Sequence, residues 1–142
     1  MGKERESLSN VILIENTNNM KNIYSRARLL LMPSFGFESA GRVVAEAQLN
    51  GIPVIGSSSG GIPEMIGKGG IVIDFPKEFY KKPYITLAHT AILKKVASVI
   101  LRFYNDKEYY EEYTKEALQQ ADTYHNIDNN TKKLIEAIHT LF

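Results

Sequence analysis

The sequence contains no cysteine and only three histidines in 142 residues. Without cysteine there can be no disulfide, no thiolate nucleophile and no cysteine-ligated metal. The histidines, His89, His125 and His139, are scattered, and their separations are not those of metal ligands. Disulfide-stapled domains and cysteine enzymes are therefore excluded, and the sequence indicates no metal site.

An excess of charge of one sign is also missing. The formal net charge is +1, and basic and acidic residues alternate along the chain. This balance argues against a dedicated nucleic-acid surface or a polybasic membrane surface. No apolar run reaches the length of a membrane span, and the charged start of the chain, residues 3–6, is not typical of a signal peptide. We therefore expect a cytoplasmic protein that does not bind nucleic acid.

Short apolar runs alternate with helical patterns in the first half of the chain. Four runs predict strands, at residues 11–14, 29–32, 53–56 and 71–73. Helical spacing between them predicts helices over about residues 20–27 and 40–49. Strands that alternate with helices are typical of a parallel sheet with helices on its faces. We predict one α/β domain over residues 1–142, with a frayed start over 1–10, an α/β core over 11–75 and a helical segment over 85–142.

The helical segment contains three predicted helices. The first carries an apolar stripe from Ile92 to Phe103, the second is capped by Asp106 and runs to about Asp122, and the third starts at Asp128. The tyrosines near the second helix are interpreted as helix packing.

The run from Met32 to Gly70 carries most of the chemical information. A strand, a turn and a helix follow one another there, and this order is suited to phosphate binding at the helix N-terminus. Taken alone, its residues also have structural interpretations. Glu38 is well placed to cap the helix, Arg42 and Glu46 are spaced to pair across one helical turn, and Gly60-Gly61 is compatible with a simple turn.

Five pieces of this run together resemble a known family. They are Pro33-Ser34, the Glu38 and Glu46 pair with seven residues between them, and residues 41–47, 51–55 and 60–64. In order and spacing they resemble the donor-nucleotide, C-terminal half of GT-B-fold glycosyltransferases, specifically the retaining family numbered 4, the group 1 glycosyl transferases. The resemblance covers most of the chain but is less sharp over the flanks, residues 11–34 and 92–124. It implies a Rossmann-like sheet and a partial GT-B C-terminal domain.

The resemblance also implies roles for individual residues. The donor would be a nucleoside-diphosphate sugar, with no further cofactor and no metal. Glu38 matches the family's glutamate beside the donor sugar and its leaving phosphate, and Glu46 matches the glutamate that holds the ribose hydroxyls. The remaining donor-binding positions are the backbone amides that face the diphosphate or the sugar and the glycines that support the cleft: Ser39, Ala40, Gly41, Arg42, Val43, Gly60 and Gly61. Ala40 departs from the family, in which an aromatic residue is common there.

The chemistry of the donor explains these residue types. A helix N-terminus offers unpaired N–H groups and a partial positive charge to a diphosphate. Gly41 has no Cβ and would let a phosphate approach, and Arg42 could add a charge-assisted bond. A helix start near Ala40 would place Glu46 about two turns further on, where one carboxylate can accept from both ribose hydroxyls. Glu38 would face the crevice at the carboxyl end of the strand.

Two parts of the family's architecture have no counterpart in the sequence. They are the N-terminal acceptor domain and the earlier part of the donor domain that supplies an Arg and a Lys to the diphosphate. We therefore expect a fragment or a degenerate relic that is inactive alone, with the missing acceptor domain as its partner. The intact enzyme would transfer a hexose to a glycan or lipid acceptor and would be cytoplasmic or peripheral to a membrane. An uncovered edge strand near Val11 would favour a dimer.

Other functions remain open from the sequence. Another GT-B enzyme, such as a sugar-nucleotide epimerase or a glycan phosphorylase, is disfavoured by the Glu38 and Glu46 spacing and by the Gly60-to-Glu64 loop. A non-catalytic α/β binding or interaction module would keep the scaffold without nucleotide affinity. A receiver-type signalling domain is disfavoured because only Glu15 lies near the end of an early strand.

Overall fold

Three parallel strands form the centre of the fold in the computed structural model, which describes residues 9–141. They are β1 (Leu30–Met32), β2 (Val54–Ser57) and β3 (Gly70–Ile73), in the spatial order β1-β2-β3. Leu30 pairs with Val54, and Val54 pairs with Gly70 on its other side. A helix lies in each connection, as parallel pairing requires. The predicted class, an α/β fold with a Rossmann-like parallel sheet flanked by helices, is confirmed.

The helices surround this sheet and continue beyond it. In the first half they are α1 (Met20–Tyr24), α2 (Arg42–Leu49) and α3 (Ile62–Ile66). The predicted helical segment contains α4 (Thr90–Asn105), α5 (Lys107–Gln120) and α6 (Ile127–His139). A 3₁₀ turn, Lys77–Tyr80, lies between β3 and α4. The helix α5 passes without a break into a π-helical turn, Ala121–His125.

Both faces of the sheet are covered, which explains why its strands are continuous apolar runs rather than alternating ones. Val54 points into a cluster with Val44 and Ala47 of α2 and with Ile62 and Ile66 of α3. The next residue, Ile55, points to the opposite face, where it packs with Ile73 and with Phe103 of α4. Truncation of the Phe103 side chain would therefore leave a cavity in the cluster on this face of the sheet.

The predicted first strand over residues 11–14 is wrong. Val11, Ile12, Leu13 and Ile14 have no strand conformation, and all four side chains are exposed. An apolar run becomes a strand only where a neighbouring strand pairs with it. Within residues 9–141, β1 pairs with β2 alone, so no ladder extends to this run. The sheet therefore has three strands, and its free edge on this side is β1 rather than a strand near Val11.

Helix ends differ from the predicted ones where the backbone or a cap decides them. The helix predicted from about Ala40 begins at Arg42, because Gly41 has a left-handed φ of 40°. The last helix begins at Ile127 rather than Asp128, because the Asn126 side chain accepts from the amides of residues 128 and 129. The cap predicted at Asp106 is confirmed, since its Oδ1 accepts from the Tyr109 amide at 2.9 Å.

Three tyrosines of the helical segment, Tyr109, Tyr110 and Tyr113, pack as predicted, whereas Tyr104 is 74% exposed. Tyr109 and Tyr113 stack on Phe103 with ring centroids 4.9 and 5.2 Å away, and the Arg28 guanidinium lies 3.8 Å above the Tyr110 ring. The last helix, α6, is amphipathic, and its apolar residues are exposed: Leu134, Ile135 and Ile138. None of the helices in residues 9–141 combines the length and apolarity needed to cross a bilayer.

A buried polar contact joins α2 to the π-helical turn. Gln48 is fully buried, and its Nε2 donates to the Ile66 carbonyl at 2.8 Å, so its Oε1 is an acceptor. His125 Nε2 lies 2.9 Å from that oxygen and therefore carries a proton. Burial lowers the pKa of His125 below its ordinary value, and a backbone hydrogen bond with Met65 opposes the shift only in part. His125 is thus a packing residue.

We expect the free energy of unfolding to fall as the pH drops below about 6.5, the pKa of a free histidine. The folded protein keeps His125 neutral there, so the unfolded chain binds more protons and gains stability on acidification. Urea unfolding between about pH 5 and 7.5 measures the slope. His125→Gln should flatten it, whereas His139→Gln, at an exposed position of α6, should not. Equal slopes in wild type and His125→Gln would contradict the assignment.

Candidate functional site

The loops that follow β1 and β2 meet at the carboxyl edge of the sheet, where open α/β folds bind ligands. Serines at the end of β2 and in the loop after it hydrogen-bond to carbonyl groups of the loop after β1. Ser57 Oγ donates to Ser34 and Ser59 Oγ to Gly36, the latter at 2.6 Å. The Gly61 amide then donates to the Glu38 carbonyl at 2.8 Å. The loop that carries Glu38 is therefore fixed by the loop after β2 over its whole length.

Gly60 and Gly61 have a steric role at this contact. Gly60 has a left-handed φ of 53°, and a Cβ built on it would collide with the Glu38 carbonyl. A Cβ on Gly61 would collide with the Ser39 carbonyl. In both glycines the side without a Cβ thus lies against the neighbouring backbone. This close contact is sufficient to explain why glycine is needed at both positions. Donor binding by these two residues stays a prediction.

Glu38 is half-buried and closes the turn before α2. Its Oε1 accepts from the Gly41 amide at 3.2 Å, so the capping geometry considered from the sequence is present. Within residues 9–141, the hydrogen bonds of this side chain leave Oε2 without a donor. Glu38 is therefore held in place by one oxygen while the other is available to a ligand.

The N-terminus of α2 differs in two respects from the predicted one. Ser39 and Ala40 precede the helix and are exposed, so their amides are not part of its first turn. Gly41 is buried, and a Cβ there would contact Val44 and Met32 side chains at 3.4 and 3.5 Å, so its open face points inward rather than to a phosphate. Its left-handed φ is the reason for glycine at this position.

The first amides of α2 remain available. The helix has no side-chain cap, and within the described part of the chain no acceptor lies within hydrogen-bonding distance of the amides of Arg42 and Val43. The Arg42 side chain is exposed. A helix N-terminus of this kind presents N–H groups and partial positive charge to an anion.

Glu46 lies one turn further along α2 and is held by a buried tyrosine. The Tyr24 hydroxyl, on α1, donates to Glu46 Oε2 at 2.8 Å, and Tyr24 is only 9% exposed. The pair predicted between Arg42 and Glu46 is not among the ion pairs of residues 9–141. Burial, followed by the hydrogen bond and the charge of Glu46, raises the pKa of Tyr24 to about 12. The carboxylate therefore has a fixed orientation, with Oε1 left for other donors.

The sequence predicts a helix over about residues 20–27 but does not single out Tyr24, so this contact was missed. Tyr24 and Glu46 are 22 residues apart, and nothing in the spacing along one helix connects them. One signal for this contact was present in the sequence, which is a tyrosine on the core-facing side of α1. A buried tyrosine hydroxyl needs a hydrogen-bond partner.

We expect the stability of the folded protein to fall between about pH 10 and 12. Over that window the unfolded tyrosines lose their protons while Tyr24 keeps its proton, so deprotonation favours the unfolded state. Tyr113, whose pKa burial also raises to about 12, contributes in the same direction. Tyr24→Phe should reduce this loss, and Tyr104→Phe, at a position 74% exposed, should leave it unchanged. Thermal unfolding across the pH window tests this, and an undiminished loss in Tyr24→Phe would contradict it.

Aromatic side chains gather at the same edge of the sheet. Phe35, after β1, meets Phe75, after β3, edge to face with ring centroids 5.0 Å apart, and it also packs on Phe79 and Tyr80 of the 3₁₀ turn. A cavity of about 330 Å³ opens between these loops beside Phe37. The sequence reasoning had left this aromatic group unassigned, although the phenylalanines at 35 and 37 directly precede Glu38.

A second cavity lies far from these residues in the fold. It has a volume of about 480 Å³ and is lined by residues of α3, the turn after α3, α5 and the π-helical turn, among them Glu64, Lys68 and Tyr124. No predicted site residue lines it. Within residues 9–141 there is no group of three or more His, Cys, Asp or Glu side chains placed to hold a metal ion.

Comparison with protein families connects this geometry to a known group. The family described as "Glycosyl transferases group 1" matches residues 2–88, which is more than half of the chain. The chain belongs to this family. The match includes the whole sheet, α2, Glu38, Glu46 and the Gly60-Gly61 loop, and it ends before α4. A comparison with curated proteins gives no significant match. Membership of the group 1 glycosyl transferases supports glycosyl transfer as the general activity.

Proposed function

We propose that the chain is the donor-nucleotide, C-terminal part of a retaining GT-B glycosyltransferase of family 4 and binds a nucleoside-diphosphate sugar along α2. One observation carries the proposal. A helix at the carboxyl edge of a parallel sheet presents free amides at its start and, one turn later, a carboxylate oriented by a buried tyrosine. The family match supports the same reaction class.

The diphosphate lies at the helix start in this proposal. The unpaired amides of Arg42 and Val43, in the first turn of the helix, supply a fixed positive potential for the leaving group. The exposed Arg42 guanidinium adds a charge-assisted hydrogen bond. No metal ion is required for this arrangement, because peptide dipoles and a guanidinium provide the positive charge.

The ribose lies beside Glu46. Two vicinal hydroxyls can donate to one carboxylate, and the Tyr24 hydrogen bond keeps that carboxylate from rotating away. Tyr24 therefore lowers the entropic cost of ordering Glu46 when the nucleoside binds.

Glu38 lies at the sugar end of the donor. Its Oε1 is engaged by the Gly41 amide, so its Oε2 can accept from a sugar hydroxyl and stabilise positive charge that develops on the reacting sugar carbon. The whole enzyme would then transfer a hexose to a glycan or lipid acceptor that lies between this chain and a separate acceptor domain.

Ligand-detected NMR with UDP, GDP and ADP tests the donor site on this chain. We expect one of the three to bind measurably more tightly than its nucleoside, because the diphosphate contacts the start of α2. Binding of the nucleoside and nucleoside diphosphate with equal affinity would exclude the phosphate site. Absence of binding by all three would contradict the proposal and favour an interaction module built on this scaffold.

The variant Glu38→Gln distinguishes binding of the donor sugar from binding of the nucleotide. Glutamine keeps an oxygen that can accept from the Gly41 amide but loses the charge. We expect the affinity for the matching sugar nucleotide to fall by about tenfold, the value of one charge-assisted hydrogen bond. The affinity for the nucleoside diphosphate alone should change much less. Titration of both ligands measures the difference, and an equal loss for both would assign Glu38 to the diphosphate.

A further inference from the structure

The cavity beside Phe37 is formed by three separate loops at the carboxyl edge of the sheet. Phe35 and Phe37 come from the loop after β1, Ser58 from the loop after β2, and Tyr80 and Tyr84 from the segment after β3. Its volume of about 330 Å³ lies at the lower end of the range for small-molecule sites. A single sugar ring with its hydroxyls fits a space of this size.

The lining of this cavity is aromatic and hydroxylated, and it carries no charged side chain. A phosphate or a carboxylate would therefore leave its charge unpaired there. Ser58 Oγ and the Tyr80 hydroxyl lie 3.0 Å apart, so two groups that both donate and accept stand side by side. Such a pair suits a ligand that is itself rich in hydroxyls.

Two of the rings are placed for a ligand rather than for the core. Phe37 is 87% exposed, so it contributes little to folding. Tyr84 has a φ of 62°, the only left-handed non-glycine backbone within residues 9–141. Its amide donates to the Lys81 carbonyl at 2.9 Å and closes a turn, and Tyr84 lines the cavity. A bulky residue in this conformation is disfavoured by itself and is common at ligand sites.

The position of the cavity indicates which ligand it binds. In the proposed complex the nucleoside lies at Glu46 and the donor sugar at Glu38. Phe37 directly precedes Glu38, and Gly60, which lines the cavity, contacts the Glu38 backbone. The cavity thus adjoins the sugar end of the donor, opposite to the nucleoside end, and there the molecule that receives the sugar must approach.

We propose that this cavity binds a neutral sugar ring of the acceptor, stacked on Phe37 and Tyr84 and hydrogen-bonded to Ser58 and Tyr80. The C–H face of a sugar ring carries partial positive charge and pairs with the negative face of an aromatic ring. The inference rests on the proposed function and specifies its second substrate as a glycan rather than a bare lipid.

Saturation-transfer NMR on the full chain tests the site with three probes, the methyl α-glycosides of glucose, galactose and mannose. We expect transfer to the ring protons of at least one probe. Phe37→Ala should weaken that binding about fivefold, since one stacking ring is lost. Tyr84→Asn should do the same, because asparagine tolerates the left-handed backbone. Tyr104→Ala, which removes an exposed tyrosine of α4 outside the cavity, is the matched control and should not change it.

Two results would overturn the inference. One is the absence of transfer to all three glycosides, and the other is transfer that Phe37→Ala leaves unchanged. Displacement of the glycoside by the nucleoside diphosphate that binds would instead assign the cavity to the donor and would also overturn it. If no nucleotide binds but the glycoside signal depends on Phe37, the sugar subsite is supported and only the proposed donor site fails.

Discussion

Gly60→Ala should lower the free energy of unfolding by about 2–5 kcal/mol, the largest stability effect expected at the candidate site. Alanine is disfavoured at a left-handed φ of 53°, and its Cβ would collide with the Glu38 carbonyl, which is backbone and cannot rotate aside. The loop after β2 would have to move away from the loop that carries Glu38. Since a domain of this size is stable by roughly 5–15 kcal/mol, such a loss is a large share of the total.

Urea unfolding measures this change, and Gly36→Ala is its matched control. Gly36 lies in the partner loop, and a Cβ there would meet no atom within 4 Å. The control should therefore change the stability by less than about 0.5 kcal/mol. A Gly60→Ala protein as stable as Gly36→Ala would show that the two loops are not held together as described.

The second large effect concerns binding. Glu46→Ala should weaken the binding of a nucleoside diphosphate to this chain by about 1–3 kcal/mol. This corresponds to a rise of roughly 5- to 150-fold in the dissociation constant. The variant removes the proposed acceptor of both ribose hydroxyls and leaves the buried Tyr24 hydroxyl without its partner. The helix itself should form normally, because alanine is a good helix former.

Titration calorimetry or ligand-detected NMR checks the prediction, with Glu136→Ala as a control of equal charge change on the exposed face of α6. Tyr24→Phe should lower the affinity for the same ligand by less, because it frees the Glu46 carboxylate without removing it. Combining Tyr24→Phe with Glu46→Ala should then add little to the single Glu46→Ala effect, as expected for residues that act through one contact. Unchanged affinity in Glu46→Ala would remove Glu46 from the site.

These two variants test different parts of the candidate site, one a backbone contact and the other a side-chain contact. Gly60 acts through the backbone, because it lets the loop after β2 approach Glu38. Glu46 acts through a side chain that Tyr24 orients from α1. A protein that tolerates both changes would have neither the loop geometry nor the oriented carboxylate on which the donor site depends.

The sequence predicted most of the elements because their signals are local. Three continuous apolar runs became β1, β2 and β3, and Asp106 caps the helix that follows it, as predicted. A cap and an apolar stripe depend on residues three or four positions apart, so they can be recognised without knowledge of the fold. The succession of strand, turn and helix around Glu38, and hence the family, was recognisable for the same reason.

Tertiary contacts determined the remainder. The run over residues 11–14 has the composition of a strand, yet it is exposed and unpaired, because pairing needs a neighbour that composition does not provide. Gly41 was expected to face a phosphate, but its left-handed backbone starts the helix at Arg42 and turns its open face towards Met32. Both differences have one physical origin, which is that the pairing of a strand and the surroundings of a glycine are set by the folded backbone. Phosphate binding at Gly41 stays a prediction.

By itself, the sequence determined the fold class, the positions of the strands and helices around the central run, and the membership of a glycosyl transferase family. Only the tertiary structure decided that Tyr24 holds Glu46, that Gly60 lies against Glu38, and that Phe37 and Tyr84 line one cavity. Each of these contacts joins residues about 20 or more positions apart. A hydrogen bond or a close backbone approach over such a separation exists only once the sheet has brought the loops to one edge.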